Sequence, residues 1–351
     1  MTSLLAADLR QRVPAARELF LTAKPFPHVL IENFVSPSFL DRLTREFPPF
    51  DRKKAINELG EVGGKSVHQM LPELGDSYKE LDRVLQSREF LDLMGEITNI
   101  PDLLYDPEYV GGGTHENCHG QDLDAHVDFN YHPRTQLYRR LNLILFLNPE
   151  WNEEWGGSLQ VHSDPWELEG PDNVKSYLPL LNHCVLFETS EVSWHGFPRI
   201  NLPEDKRHIS RRSIAVYFYT KERPKEQTAP DHSTVYVQRR LPSKFAPGLT
   251  LSEQDFAELQ IAITRRDQQI RFLYEREKEF SEVIAGYQWR IGEKDKEIAK
   301  LVALSEEPHE LLERLEREHS EMLDRIFHSP TFRLGHALTW PLRVAKGLFG
   351  T

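Results

Sequence analysis

The chain has 351 residues, 39% hydrophobic and 28% charged, with a formal net charge of −12. That length suffices for one large domain plus a smaller one, and no apolar run reaches the roughly 18 residues of a membrane-spanning helix. The acidic balance argues against a generic nucleic-acid surface, and two cysteines, Cys118 and Cys184, argue against a disulfide framework or a thiolate zinc site.

The first twenty residues scatter charges through an amphipathic pattern. They lack the basic start and apolar centre of a signal peptide, which predicts a surface helix and a cytoplasmic protein. Residues 28–34 (HVLIENF) read as a strand. Ser36 then caps a helix through Phe39, Leu40, Leu43 and Phe47. Residues 88–98 read as another helix. From about residue 108 the texture turns to strands, at 124–129, 141–147, 158–162, 183–188 and 211–219. Short strands separated by Gly and Pro turns, with flanking helices, predict an α+β chain built on a jelly roll. The pair Gly156-Gly157 reads as a backbone requirement rather than a phosphate loop.

Residues 226–251 are polar and Pro-rich, a linker or wrapped loop. Beyond them a heptad runs from Phe256 to Leu301, with eleven of fourteen a and d positions apolar and charges between. That narrow seam predicts a coiled coil over 252–304 and a homo-oligomer. Pro308 interrupts it, and a helical tail follows over 308–351. The expected organisation is therefore 1–225 catalytic, 226–251 linker, 252–304 coiled coil and 308–351 tail.

The segment Ala125-His126-Val127-Asp128-Phe129 carries the chemistry. On a strand, residues i and i+2 share one face, so His126 and Asp128 can grip one metal. His195, in Ser193-Trp194-His195-Gly196, is the candidate third ligand. Two His and one carboxylate leave three octahedral positions open, an arrangement suited to Fe(II) and O2. Among 15 His, a lone His-x-Asp is a weak signal. The ordered set, followed by an Arg opening the last strand, is stronger. His115, His119, His132, His162, His183 and His208 read as surface or hydrogen-bonded core. A dicarboxylate co-substrate chelating the metal needs a partner for its far carboxylate, and an arginine fork fits. Arg211 and Arg212 are the candidates. Alternation sets Arg211 beside the small Ser213 and Ala215, which leaves room for a ligand, and so favours Arg211.

From about Pro25 to Lys221 the chain resembles the prolyl 4-hydroxylase-like branch of the 2-oxoglutarate and Fe(II)-dependent oxygenases. The matching pieces are FPHVLIENFVSPSFLDRLTREFP, HVD at 126–128, LNLILFLNPEWNEEWGGSLQVH, SWHG at 193–196 and RRSIAVYFYT. The resemblance implies a double-stranded β-helix and a hydroxylase. It implies iron on His126, Asp128 and His195, and 2-oxoglutarate on Arg211 with Asn142, Ile144 and Leu159 lining its pocket. With Asp128 in place, hydroxylation is expected rather than halogenation. The stretch from Ser329 to Arg343 resembles tails of bacterial surface-polysaccharide assembly proteins. That implies docking to such a partner or, through Phe332, Leu334, Trp340 and nearby basic residues, to the inner-membrane surface. Two other classes stay open: a non-catalytic coiled-coil scaffold, and a cupin-like metal enzyme that does not use 2-oxoglutarate.

Overall fold

The computed structural model describes residues 4–55, 65–166, 173–238, 241, 244–304 and 308–338. Two compact units divide the chain, residues 1–240 and 241–351.

The first unit opens with α1 (Leu9–Thr22), whose Leu9, Val13, Ala16 and Phe20 are buried at helical spacing. Helix α2 (Pro37–Arg45) starts with Pro at its first position after Ser36 and buries Phe39, Leu40 and Leu43. Helix α3 (Asp76–Leu85) was not signalled by the sequence pattern. Helix α4 (Arg88–Thr98) is capped by the Ser87 hydroxyl, which accepts from the Phe90 amide at 3.3 Å. It ends on Asn99 in the left-handed region.

The strands are β1 (His28–Ile31), β2 (Ser66–His68), β3 (Leu104–Tyr105), β4 (Gly113–Asn117), β5 (Leu123–Val127), β6 (Tyr138–Phe146), β7 (Leu159–His162), β8 (Val174–Tyr177), β9 (Cys184–Glu188), β10 (His195–Phe197), β11 (Arg211–Thr220) and β12 (Val235–Val237). The larger sheet runs β1-β9-β6-β11-β4-β2, with β3 also on β11. The smaller runs β12-β5-β10-β7-β8. All pairings are antiparallel, as expected for a double-stranded β-helix.

Alternation splits the larger sheet's side chains into two sets. Leu141, Leu143, Leu145, Leu186, Ile214, Val216 and Phe218 join the helices in one apolar core. Phe146, Val185 and Phe187 point the other way and meet Leu159, Val161 and Tyr177 of the smaller sheet. The site lies on that inner side. The stretch expected as a linker contributes β12, which closes the edge of β5, so the wrapped-loop alternative describes its first half better.

The described part of the second unit holds α5 (Glu253–Leu304), α6 (Pro308–Phe327) and a further helical stretch over 330–338. Helix α6 lies along α5, with His319 Nδ1 4.0 Å from Asp295 Oδ1. Within the described residues no helix is long and apolar enough to cross a membrane. The tail's Trp340, Leu342, Arg343, Lys346, Leu348 and Phe349 lie outside the described residues.

Candidate metal and co-substrate site

Strands β5 and β10 pair with His126 directly opposite His195. Asp128 follows one residue beyond β5, on the same side as His126. One ligand atom from each of the three lies within 4.8 Å of the others. The Asp128 carboxylate stands 3.7 Å from His126 Nε2 and 3.6 Å from His195 Nε2. Gly196 lets the strands approach, because a Cβ there would fall 2.6 Å from the Leu123 carbonyl oxygen.

Each imidazole is oriented by its other nitrogen. His126 Nδ1 lies 2.9 Å from the Asp124 carbonyl, and His195 Nδ1 lies 2.9 Å from the Ser193 carbonyl. A carbonyl can only accept, so both Nδ1 atoms carry the proton and donate. Burial, then the neighbouring His195, brings the His126 imidazole down to about 3, against the pull of Asp128. Burial likewise lowers His195. Both rings are therefore neutral near pH 7, and each directs an Nε2 lone pair at Asp128. This is the tautomer and orientation that a divalent metal requires.

Burial alone pushes Asp128 upward, yet Arg139, with the two histidines and Asn142, holds it well below the usual carboxylate range. Arg139 Nη2 sits 3.0 Å from Asp128 Oδ2. Asn142 Nδ2 donates to the same oxygen at 2.8 Å, while its own Oδ1 accepts from Arg139 Nε and Nη2 at 3.1 and 3.0 Å. Arg139 is wholly buried, its guanidinium stacked 3.6 Å over the Tyr217 ring and 4.5 Å over Phe129. These contacts leave Oδ1 of Asp128 as the oxygen free to face a metal.

The two arginines at the head of β11 differ sharply. Arg212 pairs with Glu116 at 3.0 Å and is partly exposed over Phe47. Arg211 is buried on the inner side, lying over Phe197 and Phe146 at 4.2 and 5.0 Å. Its Nε donates to the Gly157 carbonyl at 2.6 Å, and burial lowers its pKa to about 9. Among the described residues it pairs with no carboxylate. A buried guanidinium of this kind fits an incoming anion. Gly156 and Gly157 both take positive φ, which non-glycine residues rarely adopt, so the double glycine serves geometry as the pattern suggested.

Across β11, Ser213 pairs with His115 of β4, so His115 shares the inner side with Arg211. Burial, then the charges of Lys65 and Arg211, holds the His115 imidazole well below the usual histidine range, so the ring is neutral near pH 7. Its one N–H goes to the Gly111 carbonyl, and Nε2 is a buried lone pair without a hydrogen-bond partner. Ile144 is half-buried on the same side, and Leu159 is fully buried in the intersheet core. The sequence pattern singled out neither His115 nor Arg139. The one signal for Arg139 was a charged pair, Arg139-Arg140, opening an otherwise apolar strand. Trp194 packs against Val127 and Val237, a core role.

Residues 113–219 match the family model described as the 2OG-Fe(II) oxygenase superfamily. This stretch is a 2OG-Fe(II) oxygenase domain. It spans the triad, Arg211 and His115, and the domain's cofactors are Fe(II) and 2-oxoglutarate. The oxygenase chain is 27% identical over 216 residues to the prolyl 3-hydroxylase OGFOD1 of Mus musculus, covering 59% of this chain and 35% of that protein. It is 30% identical over 211 residues to OGFOD1 of Xenopus laevis, covering 58% and 37%. It thus spans about a third of the length of these curated relatives. A Pseudomonas putida prolyl-4-hydroxylase crystal structure superposes with a TM-score of 0.37 at 16% identity, over 60% of this chain and 99% of that one.

Proposed function

We propose that the chain is a hydroxylase that oxidises a prolyl side chain of a protein substrate, with iron held by His126, Asp128 and His195 and 2-oxoglutarate held by Arg211. The observation that carries the reading is the pairing of two features on one inner surface. Three pre-oriented ligand atoms converge there, and so does a buried arginine that pairs with no carboxylate of the described residues. The names of the curated relatives support proline as the substrate. Iron with 2-oxoglutarate supplies the oxidising power, consuming O2 and releasing succinate and carbon dioxide.

The chain's own residues hold and orient. Asp124 and Ser193 fix the two imidazoles through their carbonyls. Arg139 and Asn142 fix one carboxylate oxygen of Asp128 and keep it ionised. Arg211 would engage the distal carboxylate of 2-oxoglutarate. Phe146, Phe197 and Phe187 keep water from the surroundings of these charges, which strengthens each contact.

The test is anaerobic titration with Fe(II) and 2-oxoglutarate, following the visible band of a metal-chelated keto acid. The band is expected in the parent, absent in His126→Ala, and in Arg211→Ala present only at about 100-fold higher 2-oxoglutarate. No band in folded, iron-loaded protein would return the scaffold and cupin-like readings. Prolyl peptides then test the substrate: 2-oxoglutarate turnover that no such peptide stimulates rejects proline while leaving the oxygenase intact. The tail's likeness to polysaccharide-assembly proteins supports docking near such a complex. That idea predicts that removing residues 329–351 shifts the protein between membrane-associated and soluble fractions.

A further inference from the structure

The two candidate ligand imidazoles sit inside a run of four rings. Tyr236 lies 5.1 Å from His126 with the planes 29° apart, a stacked pair. His126 lies 4.2 Å from His195, and His195 lies 4.6 Å from Phe187. Sheet order fixes the arrangement. Strand β5 runs between β12 and β10, and His126 is directly opposite Tyr236 in one pairing and His195 in the other. Residues directly opposed in an antiparallel pair share a face, so all three side chains stand on the inner side. The His126 ring is therefore flanked by a ring from each neighbouring strand.

The two ends of the run differ. Phe187 is fully buried in the intersheet core and lies within the family match. Tyr236 is half-buried, on a three-residue strand beyond the end of that match. The strand is anchored from its other face, where Val237 packs with Val127 and Trp194. Its inner face is left to carry Tyr236.

The ligand atoms these rings surround repel one another. Both Nδ1 protons go to carbonyls, so two Nε2 lone pairs face the Asp128 carboxylate at 3.7 and 3.6 Å with no proton between them. An imidazole free to turn about its Cβ–Cγ bond would leave such an arrangement, and metal binding would have to restore it. Closing both sides of a ring removes that cost in advance. For His195 the neighbours are His126 and Phe187; for His126 they are His195 and Tyr236.

We propose that Tyr236 is a positioning residue of the metal centre, its ring closing the β12 side of the His126 imidazole and holding Nε2 toward Asp128. The inference rests on the reading of His126, Asp128 and His195 as metal ligands. It gives the centre a working part from a stretch that the sequence presents as a linker.

The test is titration of the full chain with Co(II), read by its visible ligand-field bands, beside the melting temperature before metal is added. The parent is expected to bind Co(II), and His126→Ala is expected to lose the bands. Tyr236→Ala and Tyr236→Thr, the second chosen because threonine favours strands, are each expected to raise the Co(II) Kd about tenfold. Their melting temperatures are expected to stay close to the parent's. Tyr236→Phe keeps the ring and is expected to bind like the parent. So is Val235→Ala, which alters the same strand on its opposite face. An unchanged Kd in Tyr236→Thr overturns the proposal. An equal rise in Tyr236→Phe also overturns it, by assigning the effect to the hydroxyl, and an equal rise in Val235→Ala does so by assigning it to the strand as a whole. A parent that binds no Co(II), or a His126→Ala that binds it undiminished, overturns the ligand reading and this inference with it. A parent that binds while the Tyr236 variants match it overturns this inference alone.

Discussion

The two faces of the larger sheet come from the same strands and behave as different materials. On β6 and β11 the outward residues, Leu141, Leu143, Leu145, Ile214, Val216 and Phe218, form an unbroken aliphatic and aromatic layer under the helices. The inward residues Asn142, Arg211 and Ser213 alternate with them, and Arg139 joins that side across a register shift between β6 and β11; all four are buried. One face supplies cohesion through area removed from water. The other holds polar groups whose partners are each other or a ligand. A strand's period of two lets a single stretch of chain serve both, provided that neither set is shifted by one residue.

This division can be broken most severely at Arg139, which belongs to the inner set yet is wholly buried. Arg139→Leu leaves Asp128 buried without its cation. It is expected to cost about 3–5 kcal/mol of stability and to weaken Fe(II) binding roughly 10–100-fold. Thermal melts and metal titration read the two effects, and loss of neither would separate Arg139 from the site. On the opposite face, Leu143→Ala removes buried aliphatic volume and is expected to cost about 2–5 kcal/mol, with half-saturation for Fe(II) and 2-oxoglutarate unchanged. A shift in those constants comparable to the Arg139 effect would show that the faces are not independent.

His115→Leu sharpens the contrast from inside. The imidazole has a buried nitrogen without a partner, so its removal is expected to leave the melting temperature unchanged or higher. The neutral ring has no proton on Nε2 to give an anion, so the 2-oxoglutarate requirement is expected to be unchanged. A tenfold rise would show that the ring donates to the ligand after all. The smallest effect concerns His232, which lies 2.9 Å from Glu191 beside β12. Burial opposes its protonation, but Glu191 prevails and raises its pKa. A folded-state pKa above the unfolded value means stability that is present below about pH 6.5 and lost as pH rises through the folded value. Glu191 is 45% exposed, so solvent screening holds the effect to less than about 1 kcal/mol. The protection factors of the Val235 and Val237 amides, measured against intrinsic exchange at each pH, are expected to fall between pH 6 and 8.5, and His232→Gln is expected to remove that fall.

Much of this architecture was readable before any coordinates, and the exceptions share a cause. Strands β6 and β11 announce themselves by the apolar residues at every second position of their outward face, and β11 also by its β-branched and aromatic content. The cluster of His126, Asp128 and His195 was legible because the first two obey the same i, i+2 rule that defines a strand, and the buried Arg211 was separable from the partly exposed Arg212 by its small neighbours. Strand β4, Gly-Thr-His-Glu-Asn, was not legible: it is fully buried yet has almost no apolar residue. Its Glu116 is matched by Arg212 of β11, and such matching leaves no periodic trace in one stretch of sequence. The same holds for Arg139 and His115. Arg139's carboxylate partner, Asp128, lies eleven residues away and meets it only after the chain turns. His115 meets Arg211 only across the sheet. Strand β12 was hidden for another reason: three residues between Pro-rich neighbours are too short to show alternation.

That short strand has a practical consequence. Tyr236 stacks on the His126 ring at 5.1 Å, and β12 pairs with Ala125, His126 and Val127 of β5, the strand that carries the first candidate metal ligand. A fragment trimmed to the family match, ending near residue 219, would keep every candidate ligand and uncover the amides and carbonyls of those three residues. Such a row is a template for strand addition by another molecule. The trimmed domain is expected to aggregate through the very strand that binds iron, whereas one extended through residue 238 carries its own cap.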